Sequence, residues 1–241
     1  MRLFTAEYAG LFDVFLPGLA AWRLPLPAWR LIESLPHRGV RDVGAWDPYN
    51  VTEDADLGMR LARFGYRTAV IQSTTYEEAP ARLRPWLKQR TRWLKGWMQT
   101  WLVHMRAPRR LKRELGWVGF AVFQLLVGGT VLAGLVHSLF VAELLWELAA
   151  GAGDPAALAA VGLHAIALVL GYAVSIVLGL LGLFRRGLLG CAFALALIPI
   201  YLVLLSIAAW RALFQLLRDP YRWEKTEHGL AKSSRLAQRA A

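Results

Sequence analysis

A single cysteine in 241 residues means that no intramolecular disulfide can form. Cys191 lies inside an apolar run, where no redox role is implied. Acidic residues are scarce as well: 17 Asp and Glu stand against 28 Lys and Arg, for a formal net charge of +11. In residues 1–45 the acids are Glu7, Asp13, Glu33 and Asp42, with no Asp-x-Asp pair among them. Residues 116–217 are nearly free of charge of either sign. These absences exclude a disulfide-stapled secreted module and an ordinary soluble domain. What is present is 56% hydrophobic residues, 11 of the side chains being Trp. Apolar bulk with positive flanks reads as a membrane protein. Nucleic acid would also explain the charge, but the apolar blocks are too long for a soluble nucleic-acid binder, and none is expected as a partner. The stretch 3–22 carries Glu7 and Asp13 inside its apolar pattern and no small-residue cleavage site, so it does not read as a signal peptide.

Three apolar blocks, 117–141, 156–184 and 188–217, are each long enough to cross about 30 Å of hydrocarbon. Arg106, Arg109, Arg110, Lys112 and Arg113 precede the first block. Only Glu143, Glu147 and Asp154 are charged between the first two, and Arg218, Arg222, Lys225, Lys232, Arg235 and Arg239 follow the third. The positive-inside bias places both basic segments in the cytoplasm. Three full crossings would put them on opposite sides, so either one block is re-entrant or split, at Gly128 and Gly129 or at Pro199, or the charge rule fails at one end; the first is expected. Ahead of the blocks, Asn50 and Glu53 form a capping pair for a helix with Leu57, Leu61 and Phe64 at helical spacing. Gly65 supplies its stop, and the β-branched run 68–71 reads as a buried strand. Helix, turn and strand in that order suggest the edge of an α/β sheet. One such unit is a remnant rather than a complete doubly wound domain.

Two clusters could carry chemistry. Glu53, Asp54 and Asp56 follow Thr52 at a helix start, where the peptide dipoles favour negative charge. Asp54 and Asp56 also form an Asp-x-Asp pattern suited to a divalent ion, although helical positions two apart diverge. Further on, 11 Lys or Arg and no acid lie between Arg82 and Arg113. Within that run Gln89, Trp93, Trp97 and Trp101 recur every four residues as a stripe. Such a helix could lie at lipid headgroup level, or hold a diphosphate and stack a sugar, and the two are compatible. His104, His137 and His164 share no metal-ligand spacing and read as packing or interfacial residues.

Thr52-Glu53-Asp54, about 35 residues before Gln89-x-x-Arg92-Trp93 and followed by membrane helices, resembles the processive family 2 glycosyltransferases such as cellulose, hyaluronan and glucan synthases. The tail from Trp223 to Gly229 resembles the Trp-x-Lys-Thr-x-His-Gly segment of many bacterial members, so the resemblance covers nearly the whole chain. It implies the C-terminal part of a GT-A-like catalytic domain at 1–82, an interfacial helix region at 83–115, transmembrane helices at 116–217 and a cytoplasmic tail with a gating-loop-like segment at 218–241. The site it implies has Asp54 as general base beside Thr52 and Glu53, Gln89 and Arg92 on the nucleotide diphosphate, and Trp93 stacked on the acceptor. Trp223, Lys225, Thr226 and His228 would fold over the nucleotide. The implied reaction is inverting transfer from a nucleotide sugar, a UDP-sugar first, to a glycan or lipid acceptor, with divalent Mg or Mn expected for the full-length family. Membrane lipid is the further partner, and the implied location is the bacterial inner membrane with the soluble part cytoplasmic.

The chain departs from the family in two places. Residues 1–45 offer no candidate for the nucleotide-binding Asp or the metal-binding Asp-x-Asp, so the chain alone is expected to be truncated and inactive. The alternative is a non-catalytic membrane subunit or anchor that complements a partner chain supplying the donor half. Residues 28–40 also lack the family's Gly-x-Ser-Asn-His-Phe-Arg. Codons exist for residues 32–39 that encode Ser-Asn-His-Phe-Arg when read one base later, which a local frameshift would explain and resequencing of the locus would test.

Overall fold

The computed structural model describes residues 2–26, 37–71, 73–74, 79–80, 82–150 and 155–224. Most of segment 28–40, together with Lys225, Thr226 and His228, therefore lies outside the described residues. In chain order, helix α1 (Arg2–Gly10) runs through a π-helical turn (Leu11–Phe15) into α2 (Leu16–Ala21). Helices α3 (His37–Asp42), α4 (Glu53–Arg63) and α5 (Leu83–His104) follow. Helix α6 (Pro108–Phe123) passes through a second π-helical turn (Gln124–Gly128) into α7 (Gly129–Ala150). Helix α8 (Pro155–Arg185), a 3-10 helix (Leu189–Leu197) and α9 (Ile198–Arg218) complete the order. These elements form two compact units: Leu16–Val131 with the described residues from Arg211 onward, and Arg2–Phe15 with Leu132–Trp210.

No strand occurs among the described residues, which corrects the expected α/β remnant. Residues 68–71 are not helical, but Val70 and Ile71 are exposed rather than buried. A β-branched run becomes a strand only when a neighbour supplies ladder partners, and the described residues hold none. The preceding helix forms as its pattern dictates, with adjustments at both ends. Thr52, not Asn50, occupies the position before α4, and it makes no side-chain cap. Asn50 instead closes a local turn, its Oδ1 accepting the Thr52 N–H at 3.0 Å. Leu57 and Leu61 are buried against Val43, whereas Phe64 lies just past the helix and is exposed. Gly65, at φ +82°, ends α4: its N–H donates to the Ala62 carbonyl and that of Tyr66 to the Leu61 carbonyl, the paired bonds of a left-handed helix stop.

Among the described residues four helices are long and apolar enough to cross a membrane: Arg2–Ala21, Pro108–Ala150, Val161–Arg185 and Leu189–Arg218. The last three overlap the expected apolar blocks, and the first was not expected. Its two acids had hidden it, and the second unit shows what they do. Tyr201 donates to the Glu7 carboxylate at 2.5 Å, the Arg186 guanidinium grips Asp13 through two 2.7 Å bonds, and Arg185 donates to the Asp13 carbonyl. A partnered acid is tolerated in an apolar helix where an isolated one is not. Close approach does the rest, since a Cβ at Gly182 would overlap the Ala9 backbone and one at Gly10 would lie 2.9 Å from the Leu178 carbonyl oxygen. The third apolar block changes helix type between Leu197 and Ile198, beside Pro199, whose ring is accommodated in the first turn of α9.

Candidate functional site

Helix α5 is the element around which the first unit assembles its polar groups. Of its 22 residues 13 are buried, among them Gln89, Arg90, Arg92 and Lys95. A helix resting on a membrane surface keeps its cations in water; this one does not. The aromatic stripe is also divided. Trp97 packs in a core with Met59, Leu111, Phe123 and Val127, and Trp101 joins that cluster while donating its ring N–H to Gln124 at 2.8 Å. Trp93 is half-buried, with the Arg90 guanidinium 4.8 Å above its ring.

The Thr52-Glu53-Asp54 loop is seated on α5 at Gly96. A Cβ there would overlap the Thr52 side chain, so only glycine admits the loop this closely. Just before Thr52 the chain is pinned by polar contacts, Asn50 Nδ2 donating to Thr100 Oγ1 at 3.0 Å and the Val51 N–H to Gln99 Oε1 at 3.2 Å. Thr52 is buried, while Glu53 and Asp54 are half-buried in the first turn of α4. Asp54 Oδ1 accepts the Ala55 N–H at 2.9 Å. Arg92 lies one turn before Gly96 on the same helix. The structure thus places the Thr-Glu-Asp loop and the Gln-x-x-Arg-Trp motif on one element.

The segment after α9 meets that same helix. Lys95, with no exposure, donates to the Arg222 carbonyl at 2.5 Å, and Gln99 Nε2 donates to the Pro220 carbonyl at 3.0 Å. Burial pushes the Lys95 ammonium pKa down, while Asp219 and Glu224 pull it up and Arg222 and Arg211 push it down. The Arg92 guanidinium stands 5.4 Å from the Trp223 ring centroid. Glu224 takes two bonds from Arg211, of 2.8 and 2.6 Å, which hold its carboxyl pKa down against the opposing effect of burial.

Asp56, read as half of a possible metal pair, is committed elsewhere. It is buried, receives Arg60 Nε at 2.7 Å and lies 3.1 Å from His104 Nε2. Arg63 stands 2.9 Å from His104 Nδ1 and can only donate, so that ring nitrogen accepts and Nε2 carries the hydrogen given to Asp56. Burial raises the Asp56 pKa, but the His104 hydrogen bond and the Arg60 charge outweigh it and leave the pKa below its ordinary value. Arg63 continues the chain to Glu114 at 2.6 Å. Among the described residues no three His, Cys, Asp or Glu side chains are grouped to hold a metal ion. The described residues therefore do not fit the divalent ion expected of the full-length family.

Sequence reasoning gave Asn50 only as a helix cap and missed Lys95, Gly96, Gln99, Thr100 and the Asp56–His104 pair. The signal for the α5 residues was available: 92, 95, 96, 99 and 100 recur at three- and four-residue spacing, the period of one helix face. The Asp56–His104 pair, 48 residues apart, left none.

A family model described as glycosyl transferase family group 2 matches residues 24–214. A probable glycosyltransferase of Bacillus subtilis (strain 168), YdaM, is 28% identical over 115 residues, which cover 45% of this chain and 26% of that protein. The match thus spans about a quarter of the length of this curated relative. No solved structure matches.

Proposed function

Because the chain belongs to glycosyl transferase family group 2, we propose that it carries the acceptor side of a membrane glycosyltransferase of the processive type. The Asp54 carboxylate takes the proton of an acceptor hydroxyl, the freed oxygen attacks the anomeric carbon of a nucleotide sugar, and the nucleoside diphosphate departs from the opposite face with inversion. Peptide dipoles at the start of α4 favour the charged carboxylate that a base requires. Gln89 and Arg92 receive the leaving diphosphate, where a guanidinium matches phosphate oxygens. The Gln89 Oε1 is buried with no hydrogen-bond partner among the described residues, a costly state unless the amide serves another group. Trp93 offers a ring to the acceptor sugar, and Trp223 begins the strap that closes over the nucleotide. The donor is a nucleotide sugar, a UDP-sugar first, and the acceptor a glycan or lipid. Donor and metal binding come from residues other than those described, since these hold no suitable metal set.

The observation that carries this reading is the convergence of three separate segments, Thr52 to Asp54, Gln89 to Trp93 and residues 220–224, on α5. The basic segment before the first membrane helix and the one after the last are joined there too. An even number of crossings therefore separates them, and one of the three long helices between does not cross fully. By the positive-inside bias their common side is the cytoplasm.

The test is nucleotide-sugar turnover by the purified chain in detergent with manganese or magnesium, beside an Asp54→Asn variant. The expected result is no turnover and no nucleotide binding by the chain alone. Supplied with a donor-binding half, transfer should fall by about 100-fold or more in the variant. Turnover by the chain alone would refute the division into halves, and turnover indifferent to Asp54→Asn would refute the base.

A further inference from the structure

The side-chain amide of Gln99 is engaged at both ends by different segments. Its Oε1 accepts the N–H of Val51, the residue before Thr52, and its Nε2 donates to the carbonyl of Pro220, at the start of the strap that leads to Trp223. The two partners dictate this orientation, because a flipped amide would set oxygen against the Pro220 carbonyl and N–H against N–H. Gln99 is only 9% exposed, so neither end can turn to water. One turn earlier Lys95 fastens the strap independently, at the Arg222 carbonyl. Outside the helix, the loop and strap meet again where Tyr49 and Tyr221 stand edge to face at 5.8 Å, but both rings are largely exposed.

We propose that Gln99 is a positioning residue that couples the seating of the 219–224 strap on α5 to the order of the Thr52 to Asp54 loop. When the strap lifts, Nε2 loses its Pro220 acceptor and the amide is no longer held from both ends. It then rotates freely about its last torsion and withdraws Oε1 from Val51. The loop bearing Asp54 then loosens. When the strap seats, the amide is fixed again and the loop with it. The consequence for catalysis rests on Asp54 being the base, whereas the coupling itself is a property of the first unit. The carboxylate loop would be ordered only with the strap down, which confines proton removal from the acceptor to the closed state.

Hydrogen exchange resolved to single amides, on the full chain in detergent micelles, tests this without any turnover. Failure of the glycosyltransferase reading therefore leaves the test intact. Lys95→Met removes the strap's other fastening without touching Gln99. Exchange across 219–224 should rise, and exchange at the Val51 N–H should rise with it by about tenfold, the loss of roughly one hydrogen bond from a local opening equilibrium. Gln99→Glu keeps an acceptor for Val51 but sets a carboxylate against the Pro220 carbonyl. In that variant the strap should exchange faster while Val51 stays protected, and adding Lys95→Met should no longer move Val51. If Lys95→Met does not fold, Trp223→Ala, at an exposed ring, loosens the strap instead. With Gln99 intact, in Lys95→Met or Trp223→Ala, a loosened strap with unchanged Val51 protection overturns the proposal. So does an equal rise at Val51 with and without Gln99→Glu, which would route the coupling through Tyr49 and Tyr221.

Discussion

A methyl group added at position 96 has nowhere to go but into the Thr52 side chain, which is held in place by the contacts of Asn50 and Val51 just before it. Gly96→Ala should therefore destabilise the chain by about 1–3 kcal/mol, the usual cost of overpacking, and raise hydrogen exchange at Val51 and Thr52. Thermal unfolding in detergent measures the first and exchange the second. A second residue-scale expectation concerns Asp56. Its pKa in the folded chain lies below the ordinary 3.8, so its stabilising contribution is complete above that value and is lost as pH falls through the folded value. Asp56→Ala should cost about 3–5 kcal/mol, because it leaves Arg60 and His104 facing a buried gap. The variant should also unfold with a flatter acid limb than the parent between about pH 5 and pH 2. Asp54 and Arg92 were legible as candidates because short motifs name them. Asp56 was legible only as an acid at a helix start, since the histidine and arginine that engage it come together through packing alone.

Among the elements, α4 was readable to its last turn, because a helical apolar period and a following glycine are local signals. Gly65→Ala, at φ +82°, should lower stability by about 1 kcal/mol through left-handed strain; an unchanged melting temperature would mean the stop has been rebuilt elsewhere. The strand expected at 68–71 failed because strand formation is a pairing event and its own residues cannot supply the partner. Helix α5 was recognised, but its stripe was not a face. Trp97 and Trp101 pack into the core while Arg92 and Lys95 are also buried, so burial nearly encircles the helix and the apolar period alone does not separate the stripe from the polar face at 92, 95, 96, 99 and 100. Residues 2–21 escaped notice for the opposite reason. Glu7 and Asp13 read as interruptions until Tyr201 and Arg186 are seen to satisfy them.

For the molecule as a whole, Lys95 and Gln99 contact the Arg222 and Pro220 carbonyls within the first unit, and the topology proposed above keeps the two basic segments on one side of the membrane. Reporter fusions after residue 107 and after the tail should therefore give the same side, and single cysteines at both positions should react equally with an impermeant reagent. Opposite answers would mean that the strap does not rest on α5 in the membrane. Chain order sets a second constraint at this scale. Helix α1 packs along α8 so closely that Gly182 meets the Ala9 backbone, yet well over a hundred residues of chain are made between them. At about 5–20 residues per second, α1 waits some ten to thirty seconds before its partner emerges. During that interval Glu7 and Asp13 have neither Tyr201 nor Arg186 to answer them. The glycine seam is thus a matter of timing as well as fit: the first helix of this pair waits for the second, and biogenesis must shelter two acids that lack these later partners until the ribosome has made the rest of the seam.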